Sequence, residues 1–222
     1  MCTENGFTYN TFNEYLNKYN DMNIKPFVSQ QGLGIAKITM LNPFHYEIHF
    51  NNRKVTKTNM DEAYDYIKGK DLLKKSYIVR ERLPLAEIDG CPIDIRVITQ
   101  KEHSSWKVTE KIVKVAGKDF FITNAAQKLL NLDQAIQSPN LSISNNEQLE
   151  YEIDRICIYA SKLFEENHPD IHIIGFDIGI SPQGDIWIFE GNYKPNLAMF
   201  FGLEEKDTYI YKEDHQEANK AY

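Results

Sequence analysis

Cysteine and long apolar runs are scarce in this sequence. Its 222 residues contain three cysteines, at positions 2, 91 and 157, without a Cys-x-x-Cys pair. This spacing predicts no disulfide framework, and we expect reduced thiols in a cytoplasmic protein. No run of about 18 apolar residues is present, so no membrane-spanning helix and no membrane partner are expected. The first residues, Met1-Cys2-Thr3-Glu4-Asn5, lack the basic and apolar regions of a signal peptide.

Positive charge and the common motifs of zinc or covalent chemistry are also scarce. Twenty-five Lys and Arg residues against 32 Asp and Glu give a formal net charge of −7, which disfavours nucleic acid as a partner. The six histidines show no zinc-ligand spacing, and no serine or cysteine lies in a G-x-S-x-G context. The apolar content of 42% is that of a globular protein with a sizeable core.

The hydrophobic periodicity predicts strands and helices in mixed order with antiparallel pairs, which is typical of an α+β fold. We expect a small lobe over residues 1–76, a larger lobe over 77–202 and a charged tail over 203–222. The small-lobe pattern predicts a helix over 11–20, strands over 22–27, 35–41, 44–50 and 54–58, and a capped helix over 59–68 that Gly69 stops. The large-lobe pattern predicts strands over 77–83, 93–100 and 106–115, a helix over 124–136, and a helix with Leu149, Ile153, Ile156, Ala160 and Leu163 on one stripe.

Residues 175–192 read as a β-hairpin around the turn sequence Ser-Pro-Gln-Gly-Asp. With a four-residue loop over 182–185, one face carries two cross-strand pairs: Asp177 with Glu190, and Gly175 with Asn192. We expect the glycines to leave room beside the carboxylates. The opposite face is predicted to be a core surface made by Phe176, Ile178, Ile180, Trp187 and Phe189.

The acids and the amide of this hairpin have two readings. Opposed carboxylates repel unless a positive charge lies between them, and two acids with an amide oxygen suit Mg²⁺ or Mn²⁺. The alternative is a solvated strand face whose acids serve solubility.

Two further segments carry candidate phosphate ligands. Lys25 precedes a loop containing Gly32 and Gly34, where an ammonium group and close backbone N–H groups could hold phosphate; a surface lysine beside an ordinary loop is the alternative. Arg96 shares a strand face with Asp94, which fits either a structural ion pair or a fork for phosphate or carboxylate.

Taken together, these segments resemble the ATP-grasp superfamily, and in particular its YheC/YheD branch of endospore coat-associated proteins. The resemblance runs from about residue 12 to about residue 200, on residues 24–26, 32–35, 77–81, 94–97, 106–109, 123–124, 175–180 and 187–195. It implies an ATP-grasp-like fold of two α+β lobes with antiparallel sheets and the nucleotide site between them. It also implies an association with the spore coat.

The resemblance implies a role for each candidate residue. Lys25, Gly32 and Gly34 would hold the phosphates of ATP, and Arg96 would steady the transferred phosphoryl group. The backbone of Glu81, Arg82 and Leu83 would bind adenine, Asn124 would line the acceptor side, and Asp177, Glu190 and Asn192 would hold Mg²⁺ or Mn²⁺.

The activity implied is that of an ATP-dependent ligase, which joins an unidentified carboxylate to an amine or thiol through an acyl-phosphate. The alternatives are a catalytically silent ATP-grasp remnant with a binding or structural role, and a kinase of the same fold. The silent alternative rests on departures from the family pattern: the match begins almost at Met1, the phosphate loop is poor in glycine, and Ala125-Ala126 stands where relatives tend to have two glycines.

Overall fold

The computed structural model describes residues 2–3, 8–26, 34–50, 52–69, 77–123, 126–137 and 146–202. The chain divides into two compact units, one formed by residues 1–83 and 116–125 and the other by 84–115 and 126–222. The predicted lobe boundary after residue 76 stays a prediction. In the structure, the strand that follows it is hydrogen-bonded within the first unit. The last residue of the strand predicted over 22–27, residues 28–33 of the loop predicted over 28–34, Asn124 and the charged tail over 203–222 lie outside the described residues.

The first unit is an antiparallel sheet covered on one face by two helices. Its elements are β1 (Cys2–Thr3), α1 (Tyr9–Tyr19), β2 (Asp21–Pro26), β3 (Ala36–Asn42), β4 (His45–Phe50), β5 (Arg53–Lys57), α2 (Met60–Gly69) and β6 (Tyr77–Glu81). The strand order is β1-β6-β2-β3-β4-β5. Side chains from both helices and from alternate strand positions form one apolar core.

The start of α2 forms only half of the predicted capping box. The side chain of Asn59 accepts a hydrogen bond from the N–H of Glu62 at 2.8 Å, as an N-cap does. The carboxylate of Glu62 instead binds the backbone N–H and the hydroxyl of Thr58. The helix ends at Gly69, the residue predicted to stop it.

The second unit is a sheet with one long helix on its apolar face. Its elements are β7 (Glu87–Ile88), β8 (Cys91–Glu102), β9 (Ser105–Ala116), β10 (Ala126–Leu130), α3 (Leu132–Ile136), α4 (Asn146–Asn167), β11 (Ile173–Ile180), β12 (Ile186–Asn192) and a 3₁₀ helix (Ala198–Gly202). The strand order is β10-β9-β8-β11-β12, with β7 paired to β8. Alternate residues of β8 and β11 meet α4 in the core.

The predicted helix over 124–136 is wrong for its described first part. Ala126–Leu130 is the strand β10 beside β9, because pairing at a sheet edge outweighs the helix preference of its alanine, glutamine, lysine and leucine residues. The helix begins only after Asn131, whose side-chain oxygen accepts a hydrogen bond from the backbone N–H of Gln134 at 2.8 Å. In return, the side-chain oxygen of Gln134 accepts a hydrogen bond from the backbone N–H of Asn131.

The apolar stripe of α4 is rotated from the predicted one. Leu149 and Ile153 are buried as expected, and the stripe continues through Cys157 and Ser161. Leu163 is 43% exposed, so its predicted place in the core is wrong. The buried positions follow one another at intervals of four residues, and Leu163 lies two residues beyond Ser161, on another side of the helix. No helix among the described residues is long and apolar enough to cross a membrane.

Candidate functional site

The hairpin β11–β12 has the two predicted cross-strand pairs at its open end. Gly175 lies opposite Asn192, and Asp177 lies opposite Glu190. Asp177 is buried, whereas Glu190 is exposed and Asn192 is half-buried. The Asn192 amide nitrogen donates to a Glu190 carboxylate oxygen at 3.3 Å.

The closed end of the hairpin differs from the predicted register. Ile186 pairs with Ile180 and not with Ser181. The N–H of Ser181 instead donates to the carbonyl of Asp185 at 2.9 Å, which closes a loop shorter than the predicted one over 182–185. A β-bulge then leaves Phe189 without a partner on β11 and restores the predicted register beyond it. The two acids are therefore opposed because of the bulge, since an unbulged strand would shift every pair by one residue.

The bulge also changes which side chains share each face. Phe176, Ile178 and Ile180 lie in the core as predicted. Trp187 pairs with Gly179, so it shares the Gly179 face and does not join that core surface. The prediction for Phe189 is wrong in the same way, because a Cβ added to Gly179 would lie 2.3 Å from the Phe189 ring.

The glycines of this face do not leave open room, in contrast to the prediction. A Cβ on Gly175 would lie 2.6 Å from Cβ of Pro195. At Gly179 the neighbours are Phe189 and Leu85, with the Leu85 methyl carbon 2.7 Å from an added Cβ. Glycine is needed here because other side chains already fill the space.

The carboxylate of Asp177 is held by an arginine across the sheet. Arg96 lies directly opposite Asp177 in the β8–β11 register. Its Nε donates to Oδ1 at 2.7 Å and its second terminal nitrogen donates to Oδ2 at 2.8 Å. This bidentate geometry is the strong form of an Arg–carboxylate contact.

A second ion pair joins the first from the other side. Lys114 on β9 pairs with Asp94 on β8, and its Nζ lies 3.0 Å from Oδ1 of Asp94 and donates to Oδ1 of Asp177 at 3.0 Å. We refer to Asp94, Arg96, Lys114 and Asp177 as the charged quartet. Their exposed fractions are 2%, 9%, 6% and 8%, and two acids with two bases have formal charges that cancel.

The quartet lies on the sheet face that points away from α4. On β8, Ile93, Ile95 and Val97 enter the core while the even-numbered Asp94 and Arg96 point the other way, as the period of two predicts. The next apolar residue on that face, Ile98, packs with Ile112 and Phe200. The quartet thus has an apolar neighbour, which strengthens its interactions by excluding water.

Electrostatics keep Asp177 charged despite its burial. Burial by itself raises the pKa of this carboxyl, but the hydrogen bonds from Arg96 and the charge of Lys114 outweigh it and hold the pKa below 3.8, its ordinary value.

The donors predicted for a metal are chemically suitable, but the oxygens of Asp177 already accept hydrogen bonds from two cations. Asp177, Glu190 and Asn192 offer two carboxylates and an amide oxygen, the hard donors that Mg²⁺ accepts. Among the described residues, no group of three or more His, Cys, Asp or Glu is placed to hold a metal. Both oxygens of Asp177 are engaged by Arg96 and Lys114.

The predicted phosphate residues of the first unit lie at the end of β2 and beyond its loop. The buried positions of β2 alternate, which puts Lys25 on the face opposite the core. Gly34 has φ +86°, and a Cβ there would lie 2.8 Å from Cγ of Pro26, so only glycine fits. Gly32 lies outside the described residues.

The predicted adenine segment begins at the end of β6, which lies between β1 and β2 in the same sheet. Glu81 is the last residue of β6 and pairs with Met22. Arg82 lies 3.2 Å from a carboxylate oxygen of Asp21, and Leu83 is half-buried. Asn124, predicted for the acceptor side, lies outside the described residues.

Sequence reasoning missed Lys114 as a partner of Asp177. Continuing the register at the β8–β9 turn, where Thr99 pairs with Val108, would place Asp94 opposite Val113. A bulge beyond Thr99 shifts the pairing by one and puts Lys114 there instead. The available signal was an opposite charge one residue away from the expected partner.

Comparison with known proteins identifies the family and the fold. A family model described as YheC/D-like ATP-grasp matches residues 3–214. The chain is 26% identical over 194 residues to the endospore coat-associated protein YheD of Bacillus subtilis strain 168, and 23% identical over 193 residues to YheC of the same organism. Each alignment covers 84% of this chain, but 42% of YheD and 52% of YheC.

A solved structure shares the fold at low identity. D-alanyl-alanine synthetase A from Vibrio cholerae O1 matches with a TM-score of 0.54 and 12% identity, covering 96% of this chain and 55% of that chain. The chain therefore spans about half the length of the proteins it matches. The α+β, ATP-grasp-like fold is confirmed, and the chain belongs to the YheC/D-like ATP-grasp family.

Proposed function

We propose that the protein binds ATP with Mg²⁺ and uses it to join a carboxylate to an amine or thiol through an acyl-phosphate. The observation that carries this proposal is the bidentate Arg96–Asp177 pair with Lys114, beside Glu190 and Asn192, in a chain of the ATP-grasp family. A buried arginine fork next to carboxylates is suited to a phosphoryl group that carries its own cation.

Each part of this site has chemistry that phosphoryl transfer needs. Asp177, Glu190 and Asn192 would hold Mg²⁺, which supplies neutralisation of phosphate charge. Arg96 presents a planar fork and Lys114 a point charge, so both would bind phosphoryl oxygens in the transition state. The low exposure of the quartet keeps these interactions away from water, where they would be weaker.

The residues of the first unit complete the proposal on the strength of the family. Lys25, Gly32 and Gly34 are proposed to contact the phosphates, and the backbone of residues 81–83 is proposed to bind adenine. Asn124 is proposed to lie on the acceptor side. Two relatives carry names that associate them with the endospore coat, and for this chain we propose a cytoplasmic location with the same association.

A second candidate is a catalytically silent binding protein. Its support is that Asp177 is already satisfied by two cations, so the quartet is stable as a structural unit without a ligand. A silent member of the family would keep this face for packing and would bind nucleotide weakly or not at all.

Thermal unfolding with and without ATP and Mg²⁺ tests the proposal. Ligand at 100 times its dissociation constant should stabilise the wild type by about 2.7 kcal/mol. Glu190→Gln should lose most of this shift, because it removes a carboxylate and leaves the Arg96–Asp177 pair in place. Glu166→Gln, an exposed change on α4, should keep the shift. A wild type that millimolar ATP and Mg²⁺ do not stabilise would rule the proposal out.

Product analysis separates the activities. ADP release that requires both a carboxylate and an amine or thiol indicates a ligase, whereas phosphorylation of a hydroxyl indicates a kinase. Nucleotide binding without ADP release under any of these conditions indicates the silent protein.

A further inference from the structure

The charged quartet restricts which ligands can bind to it on their own. Oδ1 of Asp177 accepts from both Arg96 and Lys114, and Oδ2 accepts from Arg96. The set is at least nine-tenths buried, so no part of it is strongly screened by water or salt. Any ligand that takes one member must therefore leave the others without compensation or supply the missing charge itself.

A divalent cation that binds alone would leave charges of the quartet uncompensated. To bind an oxygen of Asp177 it must approach two cations that already hold that carboxylate, or displace them. Displacement would leave Arg96 and Lys114 buried with Asp94 as the one remaining acid of the quartet, and unpaired buried charges are costly.

A polyphosphate alone meets the opposite difficulty. To bind the guanidinium of Arg96 and the ammonium of Lys114 it must draw them from Asp177, and the buried carboxylate would then face a phosphate of the same sign. Both costs disappear when the cation and the phosphate bind together. The cation then neutralises Asp177, and the phosphate neutralises Arg96 and Lys114.

We propose that the quartet is an ion-pair switch that makes binding of the divalent cation and of the phosphate mutually dependent. In the unliganded state Arg96 and Lys114 neutralise Asp177. In the liganded state the metal takes their place on Asp177, and the two cations turn to the phosphate. The inference rests on the proposed function and adds to it the coupling between its two ligands.

Asp94 is a positioning residue in this switch. Lys114 lies 3.0 Å from Oδ1 of Asp94 and the same distance from Oδ1 of Asp177. When Asp177 is taken by a metal, Asp94 keeps Lys114 paired and at the site. Removing Lys114 should therefore favour the metal on its own over the phosphate on its own, and removing Asp94 should do the reverse.

The test measures Mn²⁺ alone, by the paramagnetic resonance of the free ion, and ATP alone in EDTA, by calorimetry. Lys114→Met should bind Mn²⁺ alone more tightly than the wild type, by about 5- to 150-fold, the usual range of coupling between sites, and should bind metal-free ATP more weakly. Asp94→Asn should bind metal-free ATP more tightly and Mn²⁺ alone no better.

Lys111→Met is the matched control. Lys111 is on the same strand and is also ion-paired, but to Glu150 and Asp154 of α4 on the other face of the sheet. It should leave both affinities unchanged. If Lys114→Met fails to fold, the charge-balanced double variant Lys114→Met/Asp94→Asn carries the same test and should also gain Mn²⁺ affinity.

The outcomes separate this inference from the proposed function. A wild type that binds Mn-ATP, with a Mn²⁺ affinity indifferent to Lys114, overturns the switch and keeps the function. A wild type that binds neither Mn-ATP nor Mg-ATP overturns both. Gain of Mn²⁺ affinity in Lys114→Met but not in Lys111→Met supports the switch.

Discussion

Arg96 and Asp177 lie directly opposite each other on β8 and β11, and the guanidinium donates two hydrogen bonds to the carboxylate. The two residues are 81 positions apart in the chain and almost fully buried. Burying the two charges costs desolvation free energy, which only this bidentate geometry offsets. The contribution of the pair to stability is therefore measured separately from its contribution to binding.

Substituting one member of the pair should be strongly destabilising. Asp177→Asn leaves Arg96 and Lys114 with Asp94 as the one remaining acid of the quartet, and we expect a loss of about 3–5 kcal/mol in the free energy of unfolding. Urea denaturation measures this loss, and Glu166→Gln, an exposed change, should stay within about 0.5 kcal/mol of the wild type. A loss no larger than that of the control would mean that the pair does not stabilise the fold.

Replacing both members separates stability from binding. Arg96→Met with Asp177→Leu removes both charges, and buried pairs replaced by apolar residues are often neutral in stability. We expect most of the stability lost in Asp177→Asn to return, while stabilisation by ATP and Mg²⁺ remains absent. Retained nucleotide binding in this double variant would show that the pair is purely structural.

His49 should make the stability of the first unit fall in mild acid. Burial lowers the pKa of its imidazole below the ordinary 6.5, although the hydrogen bond to the Asp119 carbonyl opposes the shift. The unfolded chain therefore takes up the proton first, so stability is complete above pH 6.5 and decreases below it, by at most about 1.4 kcal/mol per pH unit for one proton.

Urea titrations between pH 7.5 and 5.5 measure this dependence. His49→Gln should flatten the curve, whereas the exposed His172→Gln should leave it unchanged. Equal curves for wild type and His49→Gln would contradict the prediction.

Gly34 should not tolerate a side chain. Its φ of +86° is unfavourable for an L-residue, and an added Cβ would lie 2.8 Å from Pro26, so Gly34→Ala should cost about 1–2 kcal/mol. Gly69→Ala is the control, since a Cβ there meets nothing within 4 Å and alanine should be neutral or slightly stabilising. Thermal unfolding of the two variants checks both expectations.

Gly175 should be sensitive to size because of Pro195. A Cβ at Gly175 would lie 2.6 Å from Cβ of Pro195, and overpacking of this kind costs about 1–3 kcal/mol. The loss in Gly175→Ala should be smaller when Pro195→Gly removes the opposing atom. A double-mutant cycle by urea denaturation measures the difference, and additive losses would contradict the contact.

Cys157 should be inert towards alkylation in the folded protein. Burial raises the pKa of its thiol to about 12, so almost no thiolate forms at pH 8. Iodoacetamide followed by peptide mass spectrometry should find Cys157 unlabelled in buffer and labelled in urea. Labelling in buffer at the rate of an exposed thiol would contradict its place on the buried face of α4.

Much of the fold was readable from local pattern. The alternation along β8 assigns Ile93, Ile95 and Val97 to one face and Arg96 to the other, and the structure agrees. The helix expected at residues 126–130 was wrong although these residues favour a helix, because pairing with β9 at the sheet edge decided their conformation.

The sequence by itself determined the family and the strand alternation that places Asp94 and Arg96 on one face of the sheet. The tertiary structure decided which residues surround Asp177, because two β-bulges, one beside Phe189 and one beyond Thr99, set the pairing of four strands. A bulge shifts every later pair by one residue and so exchanges the faces of a strand, and sequence alternation alone does not locate it. Lys114 therefore joins Asp94 and Asp177 through packing between distant strands.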